Sequence, residues 1–182
     1  MTEQNPAILL TGHPGIGKST VIKKMVELMT GKAGGFYTRE VRVGSERTGF
    51  EIVTLEGKTG LLATKSREVV FTDEVPFESY RINLDAMESV AIPALLKALA
   101  EKRIIVIDEI GPMEIFSERF CDTILQILEN REVIAVGAIV QRPYRFADIV
   151  KAHPKVTIKP VTTENRNSLP LEIFSMIMEY RK

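Results

Sequence analysis

Eight consecutive residues near the start of the chain form a glycine-rich loop of the kind that holds phosphate groups. The segment reads Gly12-His13-Pro14-Gly15-Ile16-Gly17-Lys18-Ser19 and matches the pattern G-x-x-x-x-G-K-S/T. Glycine lets the backbone turn tightly enough for successive N–H groups to point at phosphate oxygens, and the following helix adds its positive N-terminal end. We expect the lysine to reach the β- and γ-phosphates and the serine hydroxyl to bind Mg²⁺. The motif predicts a nucleoside-triphosphate site.

A second motif is a run of apolar, β-forming residues that ends in two acids. Residues 103–109 read Arg-Ile-Ile-Val-Ile-Asp-Glu. A buried strand with this sequence would carry Asp108 to the carboxyl edge of the sheet, beside the phosphate loop, where a carboxylate orients Mg²⁺ through its water shell. Successive residues of a strand face opposite ways, so Glu109 is expected to point toward the γ-phosphate and activate water. Glu109 and Lys18 are the predicted catalytic residues.

An acid beside the γ-phosphate favours hydrolysis over transfer to a second substrate. Transfer requires that water be kept away from the nucleotide, whereas a carboxylate such as Glu109 activates water. Two alternatives stay open. One is a nucleotide or small-molecule kinase, and the other is a nucleotide-dependent switch that binds a protein partner.

The cation that stabilises the transferring phosphoryl group is not settled by these motifs. Arginine is the natural choice, and a solvated surface position is the alternative for each candidate. Candidates near predicted strand ends and loops are Arg39, Arg47, Arg142, Arg145 and Arg166. Gln141 is a further candidate for contact with the γ-phosphate or the attacking water.

The segment between the last predicted strand and the last helix is a candidate base-binding loop. Asn165 is placed to hydrogen-bond a base edge, and Arg166 to stack on the ring. Simple capping of the last helix by Ser168 is the alternative.

Apolar runs and amphipathic segments alternate along the chain and predict the elements that position these residues. Predicted strands cover residues 7–11, 36–41, 104–108, 133–139 and 156–158, and predicted helices cover 17–30, 85–101, 117–130, 146–152 and 169–181. Strands that are continuous Ile/Val/Leu runs are typical of a parallel sheet covered on both faces. The fold class is therefore a doubly wound α/β domain.

Two segments depart from this alternation. Residues 36–80 contain an alternating strand pattern flanked by glycines, which predicts a β-rich antiparallel insertion at the sheet edge. It is either a structural extension or a flap over the substrate. Pro93 lies inside a helical pattern, so it should kink that helix or mark a restart at its first turn.

Length and composition predict a single domain that spans residues 1–182. Lys plus Arg equals Asp plus Glu at 24 each, so a basic surface for nucleic acid or membrane is not expected. The only cysteine, Cys121, cannot form an internal disulfide, which favours a reducing cytoplasm. The predicted partners are nucleoside triphosphates, without nucleic acid, membrane or an obligate protein partner.

Several motifs in a fixed order resemble one family. They are the phosphate loop, Gly34-Gly35-Phe36-Tyr37-Thr38-Arg39-Glu40-Val41-Arg42, Arg47-Thr48-Gly49-Phe50, Ile107-Asp108-Glu109-Ile110-Gly111-Pro112-Met113-Glu114 and Thr163-Glu164-Asn165-Arg166. Together they make the chain similar, over nearly its whole length, to the small thermophile-type nucleoside-triphosphatases, whose vertebrate relative is a cancer-related nucleoside triphosphatase.

The resemblance implies a P-loop NTPase with a RecA-like core that hydrolyses ATP, GTP, CTP and UTP to the diphosphate slowly, with Mg²⁺ as cofactor and loose base selectivity. It also implies a set of nucleotide-binding residues. They are Gly12, His13, Pro14, Gly15, Ile16, Gly17, Lys18, Ser19, Thr20, Ile107, Asp108, Glu109, Ile110 and Gly111, to which the base-loop argument adds Asn165 and Arg166. Ser19 and Asp108 are the metal ligands that the two motifs predict. The segment 141–144 matches no pattern of the family.

Overall fold

A computed structural model describes residues 4–101 and 104–180 of the chain. The strands are β1 (Ala7–Thr11), β2 (Ala33–Val43), β3 (Glu46–Thr54), β4 (Thr59–Thr64), β5 (Glu74–Phe77), β6 (Tyr80–Asn83), β7 (Ile104–Ile110), β8 (Ala135–Ile139) and β9 (Val156–Pro160). The helices are α1 (Lys18–Leu28), α2 (Leu84–Ala86), α3 (Ile92–Ala100), α4 (Glu118–Glu129), α5 (Arg145–Lys151) and α6 (Leu169–Tyr180). A π-helical turn covers Met87–Ala91, and a 3₁₀-helical turn covers Glu114–Phe116.

All nine strands of the described residues form one sheet, in the order β5-β6-β4-β3-β2-β7-β8-β1-β9. The five strands β2, β7, β8, β1 and β9 run parallel. The strand that leads into the phosphate loop and the strand that ends in the two acids are not neighbours, because β8 lies between them. Gly137 of β8 is in register with Leu9 on one side and Ile107 on the other. The carboxyl ends of β1 and β7 therefore share one edge of the sheet.

Helices cover both faces of the parallel strands. Ile105 and Ile107 of β7 pack with Phe120 of α4 in one hydrophobic cluster. Val106, one residue along the same strand, packs with Met25 of α1 in the other. Apolar residues on both sides of each central strand explain the continuous Ile/Val runs of the sequence. The predicted α/β fold is confirmed.

The β-rich insertion is present. Antiparallel pairing runs from residue 36 of β2 to Asn83 at the end of β6, against a predicted range of 36–80. β2 belongs to both parts of the sheet. Its first five residues, 33–37, pair in parallel with β7, and residues 36–43 pair antiparallel with β3. The insertion therefore continues the main sheet.

Pro93 lies in the first turn of α3, directly after the π-helical turn. Proline has no backbone N–H, so it cannot bond to the carbonyl of Ser89 four residues earlier. That carbonyl instead accepts a hydrogen bond from Lys58 Nζ at 2.6 Å. Of the two predicted outcomes, the second is observed: α3 begins at Ile92, and Pro93 lies in its first turn.

The other predicted elements agree with the structure to within a few residues. The predicted strand 36–41 begins earlier, at Ala33, and the predicted strand 133–139 begins later, at Ala135. Two predicted positions, Arg103 before β7 and Arg181 at the end of the last helix, lie outside the described residues.

A buried lysine joins α4 to the start of β9. Lys155 is 4% exposed, and its Nζ donates hydrogen bonds to the carbonyl oxygens of Ile127, Asn130 and Val133 at 3.2, 2.6 and 2.9 Å. Burial lowers the pKa of Lys155 to about 8. Three acceptors match the three N–H groups of the ammonium form, and two of them lie at the negative C-terminal end of α4. The charge is thus held by backbone carbonyls.

Lys155→Met should lower the free energy of unfolding by about 2–4 kcal/mol, because it leaves buried carbonyl oxygens without donors. The control Lys32→Met changes an exposed lysine and should stay within about 0.5 kcal/mol of wild type. Urea unfolding at pH 7 measures both. Equal midpoints for the two variants would contradict the structural role of Lys155.

Candidate active site

The phosphate loop connects β1 to α1 in a tight turn that only glycine adopts easily. Gly12, Gly15 and Gly17 have φ of 149°, 80° and 112°, all in the left-handed region. Lys18, the first residue of α1, folds back so that its Nζ donates to the carbonyl oxygen of Gly12 at 3.1 Å. The loop therefore closes around the lysine, at the positive end of α1.

Asp108 lies at the carboxyl end of β7 with its side chain in the interior. It is 1% exposed, and within the described ranges neither carboxylate oxygen has a hydrogen-bond partner. Burial raises its pKa to about 7, while the nearby Ser19 hydroxyl acts in the opposite direction. Burying a carboxylate without hydrogen-bond partners costs folding free energy. Groups of this kind are concentrated at ligand-binding and catalytic sites.

Glu109 follows Asp108 through a cis peptide bond and faces the phosphate loop. Its Oε2 lies 3.8 Å from Lys18 Nζ, and its side chain is 27% exposed. Burial raises the pKa of Glu109, and the positive charge of Lys18 lowers it. The structure thus brings the two predicted catalytic residues together from β7 and α1.

The residues around Asp108 fit a hard cation. Its two orphaned oxygens and the adjacent Ser19 hydroxyl are oxygen donors, as Mg²⁺ prefers. In the described part of the chain, no group of three or more His, Cys, Asp or Glu side chains is arranged to hold a metal. A site with few protein ligands suits Mg²⁺, which keeps several waters and binds substrate phosphates.

The remaining predicted residues of β7 and the turn after it are two core side chains and a glycine. Ile107 and Ile110 are each 1% exposed and belong to the hydrophobic core. Gly111 follows directly after the strand, beside the Glu109 side chain. In the phosphate loop, His13 and Pro14 are exposed, as is Thr20 on α1. The nucleotide contacts assigned to these positions stay predictions.

The two base-loop residues, Asn165 and Arg166, differ in whether their side chains are free to contact a nucleotide. Arg166 lies against the phosphate loop: its Nη1 donates to the carbonyl oxygen of Ile16 at 3.5 Å. Asn165 uses its amide within its own loop, since Oδ1 accepts from the Thr162 amide at 2.8 Å and Nδ2 donates to the Pro160 carbonyl at 2.9 Å. Of the pair, Arg166 has the exposed side chain and the direct contact with the loop.

A cleft of about 200 Å³ opens beside Arg166. The residues that line it are Gly17, Thr20, Val21, Lys24, Arg166 and Asn167. Ser168, the alternative helix cap, donates its hydroxyl to the carbonyl oxygen of Asn165 at 3.0 Å. The Ser168 hydroxyl thus forms a hydrogen bond within the loop that precedes α6.

The other candidate arginines are distributed over the insertion and the surface. Arg39 forms an ion pair with Glu51 at 2.6 Å. Arg47 donates to the Tyr80 hydroxyl at 2.9 Å and pairs with Glu40. The remaining two candidates, Arg142 and Arg145, and the neighbouring Gln141 are exposed. Arg166 is therefore the candidate arginine for which the structure gives a hydrogen bond to the phosphate loop.

Glu114 is a residue that the sequence argument left without a role. It begins the 3₁₀-helical turn after β7 and is 4% exposed. Burial, followed by the charge of Glu109, raises its pKa to about 8. Its place in the Gly-Pro-Met-Glu segment was the only sequence signal, and that segment does not distinguish a buried acid from a surface one.

Comparison of the sequence with known proteins gives consistent matches. The model of a family described as NTPase matches residues 7–174. Nucleoside-triphosphatase THEP1 of Thermotoga maritima is 37% identical over 170 residues, which is 93% of this chain and 94% of the relative. A cancer-related nucleoside-triphosphatase homolog of Mus musculus is 36% identical over 185 residues, 96% of this chain and 97% of the relative.

Two solved structures share the fold. The crystal structure of THEP1 from the hyperthermophile Aquifex aeolicus has a TM-score of 0.82 and 37% identity, over 94% of this chain and 98% of that one. The solution structure of a human cancer-related nucleoside triphosphatase has a TM-score of 0.82 and 35% identity, over 98% of this chain and all 100% of that one.

Asp108 should make the stability of the metal-free protein fall as the pH rises from about 4 to about 7. In the unfolded chain its carboxyl ionises near the ordinary value of about 3.9, whereas burial keeps it protonated up to about 7 in the folded protein. The native state therefore binds more protons in this window, and the free energy of unfolding decreases with pH. Glu114, also with a raised pKa, adds a slope of the same sign.

Asp108→Asn should remove its share of this slope and stabilise the metal-free protein at pH 8 by on the order of 2 kcal/mol. Urea unfolding in EDTA between pH 4 and pH 8 measures the effect. Asp122→Asn, at an exposed position of α4, is the control and should follow the wild-type curve. A variant less stable than wild type at pH 8 would show that the buried carboxylate is not a destabilising charge.

Proposed function

Because the chain belongs to the nucleoside-triphosphatase (NTPase) family, we propose that it hydrolyses nucleoside 5′-triphosphates to the diphosphate and phosphate with Mg²⁺ and with little preference for the base. Family membership makes the chain an NTP-hydrolysing enzyme. The metal, the range of bases and the roles of individual residues are the parts that we propose.

One observation carries the assignment of residue roles. Lys18 Nζ and Glu109 Oε2 lie 3.8 Å apart, beside the buried Asp108, at the edge where the phosphate loop ends. A cation for the phosphates, a carboxylate for the metal and a second carboxylate for water are the groups that phosphoryl transfer to water requires. Their meeting from β7 and α1 supports a single site.

In the proposed mechanism, the backbone amides of residues 12–20 and the ammonium group of Lys18 bind the phosphates. Ser19 and Asp108 would hold Mg²⁺, which when bound neutralises charge on the β- and γ-phosphate oxygens. A water molecule attacks the γ-phosphorus, and its proton goes to the Glu109 carboxylate. The bond from the γ-phosphorus to the bridging oxygen breaks, and the diphosphate leaves with that oxygen.

Burial prepares Glu109 for this role as a base. A general base works best when its pKa approaches the working pH, and burial raises the pKa of this carboxyl. Lys18 opposes that shift.

The surroundings of Arg166 support loose selectivity for the base. Strong discrimination needs buried polar groups that would be left unpaired by the wrong ligand. Among the described residues of the cleft, Thr20, Lys24 and Arg166 are exposed, and Asn165 nearby already bonds its own loop. Arg166 is proposed to stack on the base, an interaction that any ring accepts.

The kinase alternative is not favoured, since the matched relatives are named nucleoside-triphosphatases. None of the helices within residues 4–101 and 104–180 has the length and apolar character needed to cross a membrane. The cytoplasmic location and the absence of nucleic-acid and obligate protein partners stay predictions from composition.

Glu109→Gln should lower the rate of hydrolysis by about 10²–10⁴-fold, the usual contribution of a positioned general base. Nucleotide binding should persist, since the phosphate loop is unchanged. Phosphate release from ATP, GTP, CTP and UTP with Mg²⁺ measures the rate, and calorimetry measures binding. Glu129→Gln, at an exposed position of α4, should behave as wild type.

Two outcomes would contradict this assignment. A Glu109→Gln variant with the wild-type rate would exclude Glu109 as the base. Background phosphate release by the wild-type protein, together with phosphorylation of an added nucleoside, would favour the kinase.

Ser19→Ala should raise the Mg²⁺ concentration needed for half-maximal activity by about tenfold, since one metal-binding hydroxyl is lost. The maximal rate should largely recover at high Mg²⁺, and EDTA should abolish activity in both proteins. Ser45→Ala, in the exposed β2–β3 turn, is the matched control. An unchanged Mg²⁺ titration curve for Ser19→Ala would exclude this residue as a metal ligand.

A further inference from the structure

Glu114 is a buried acid that the proposed mechanism does not use. Burial raises the pKa of this carboxyl, and hydrogen bonding by the backbone amides of Glu114 itself and of Gly111 lowers it. Backbone hydrogen bonds from Ile115 N to the Gly111 oxygen, at 3.2 Å, and from Ser117 N to the Glu114 oxygen, at 3.1 Å, close the same turn. The side chain of Glu114 therefore lies against the turn that directly follows β7.

Glu114 and Glu109 approach Gly111 closely. A Cβ atom on Gly111 would lie 2.7 Å from Glu109 Oε1 and 2.8 Å from Glu114 Oε2, closer than real Cβ contacts allow. The two carboxyl groups thus occupy the space that any side chain at position 111 would need. The same Glu109 side chain has its other oxygen, Oε2, near Lys18 Nζ.

Burying the Glu114 carboxyl next to Glu109 and Asp108 lowers the stability of the folded protein. Glu109 and Asp108 both act on Glu114 as like charges, and burial adds a desolvation cost. An apolar residue of similar size would avoid both costs. Groups that are costly to fold in this way concentrate at functional sites, because the site needs what they position.

We propose that Glu114 is a positioning residue for hydrolysis: by bonding the Gly111 turn and filling one side of the space next to Glu109, it directs the Glu109 carboxylate toward Lys18 and the attacking water. This inference rests on the proposed role of Glu109. A displacement of about 1 Å at a reacting group costs on the order of 10²-fold in rate, so a loose Glu109 would be a slow base.

Glu114→Met and Glu114→Gln test the proposal together, with kcat and KM for Mg-ATP as the readouts. Methionine fills similar volume but accepts no strong hydrogen bond, so kcat should fall about 10- to 100-fold while KM stays within about threefold. Glutamine keeps an acceptor oxygen for the Gly111 amide, so kcat should stay within about fivefold of wild type. Glu118→Met and Glu118→Gln, at an exposed position of α4, are the matched controls.

Gly111→Ala provides an independent route to the same displacement. The three atoms nearest the added methyl group, Glu109 Oε1, Glu114 Oε2 and, at 3.0 Å, Glu109 Cγ, all belong to side chains and none to the backbone. We therefore expect the fold to persist while the Glu109 side chain moves aside. We expect a loss of kcat similar to that of Glu114→Met, with nucleotide binding by calorimetry and thermal unfolding close to wild type. This variant keeps the proposal testable if Glu114→Met does not fold.

The outcomes separate this inference from the proposed function. A folded Glu114→Met protein with the wild-type kcat, or a Gly111→Ala protein with the wild-type kcat, overturns the inference alone. So does a Glu114→Gln variant as slow as Glu114→Met, because the retained acceptor would then have no effect. Equal rates for wild type and Glu109→Gln would overturn the role of Glu109 and this inference with it.

Discussion

The strand order β7-β8-β1, in which one parallel strand separates the two that carry the site, is the constraint on which the site depends. β8 contributes Ala135, Gly137 and Ala138 between them, and a Cβ atom on Gly137 would overlap the backbone of Ile107. Because β1 and β7 both run parallel to β8 and are in register with Gly137, the phosphate loop after β1 and the acids at the end of β7 meet at one edge. Lys18 and Glu109 contact each other only because of that strand order.

Two buried ionisable residues, Lys155 and Asp108, differ in whether the fold supplies hydrogen-bond partners for their side chains. The three N–H groups of Lys155 find three carbonyl oxygens, so its charge is satisfied by the fold itself. Both oxygens of Asp108 lack such partners in the described part of the chain, although they are equally inaccessible. An unsatisfied carboxylate weakens the fold and at the same time leaves oxygens free for a metal. The site thus depends on stability supplied elsewhere, by the two hydrophobic clusters and by contacts such as those of Lys155.

The antiparallel strands extend the same sheet through β2, which lies next to the site strand β7. Tyr37 of β2 is in register with Asp108 of β7, and one residue earlier Phe36 pairs with both Ile107 and Thr54. A sequence pattern does not reveal this double membership. Ala33, Gly34 and Gly35, which pair only with β7, are not β-forming residues, so the predicted strand begins at Phe36, where the antiparallel pairing with β3 also begins.

The sequence by itself determined the features that depend on neighbouring residues. The phosphate loop lies within eight positions, and an apolar run followed by Asp108 and Glu109 marks a buried strand end, so local spacing was enough to predict both. Only the tertiary structure decided which distant groups reach them. Arg166 contacts the phosphate loop at Ile16, 150 residues away in sequence. The side-chain amide of Asn165 hydrogen-bonds within its own turn. Glu114 and Glu109 both lie next to Gly111. These relations follow from strand order and the packing of buried side chains, which bring together residues that no local pattern connects.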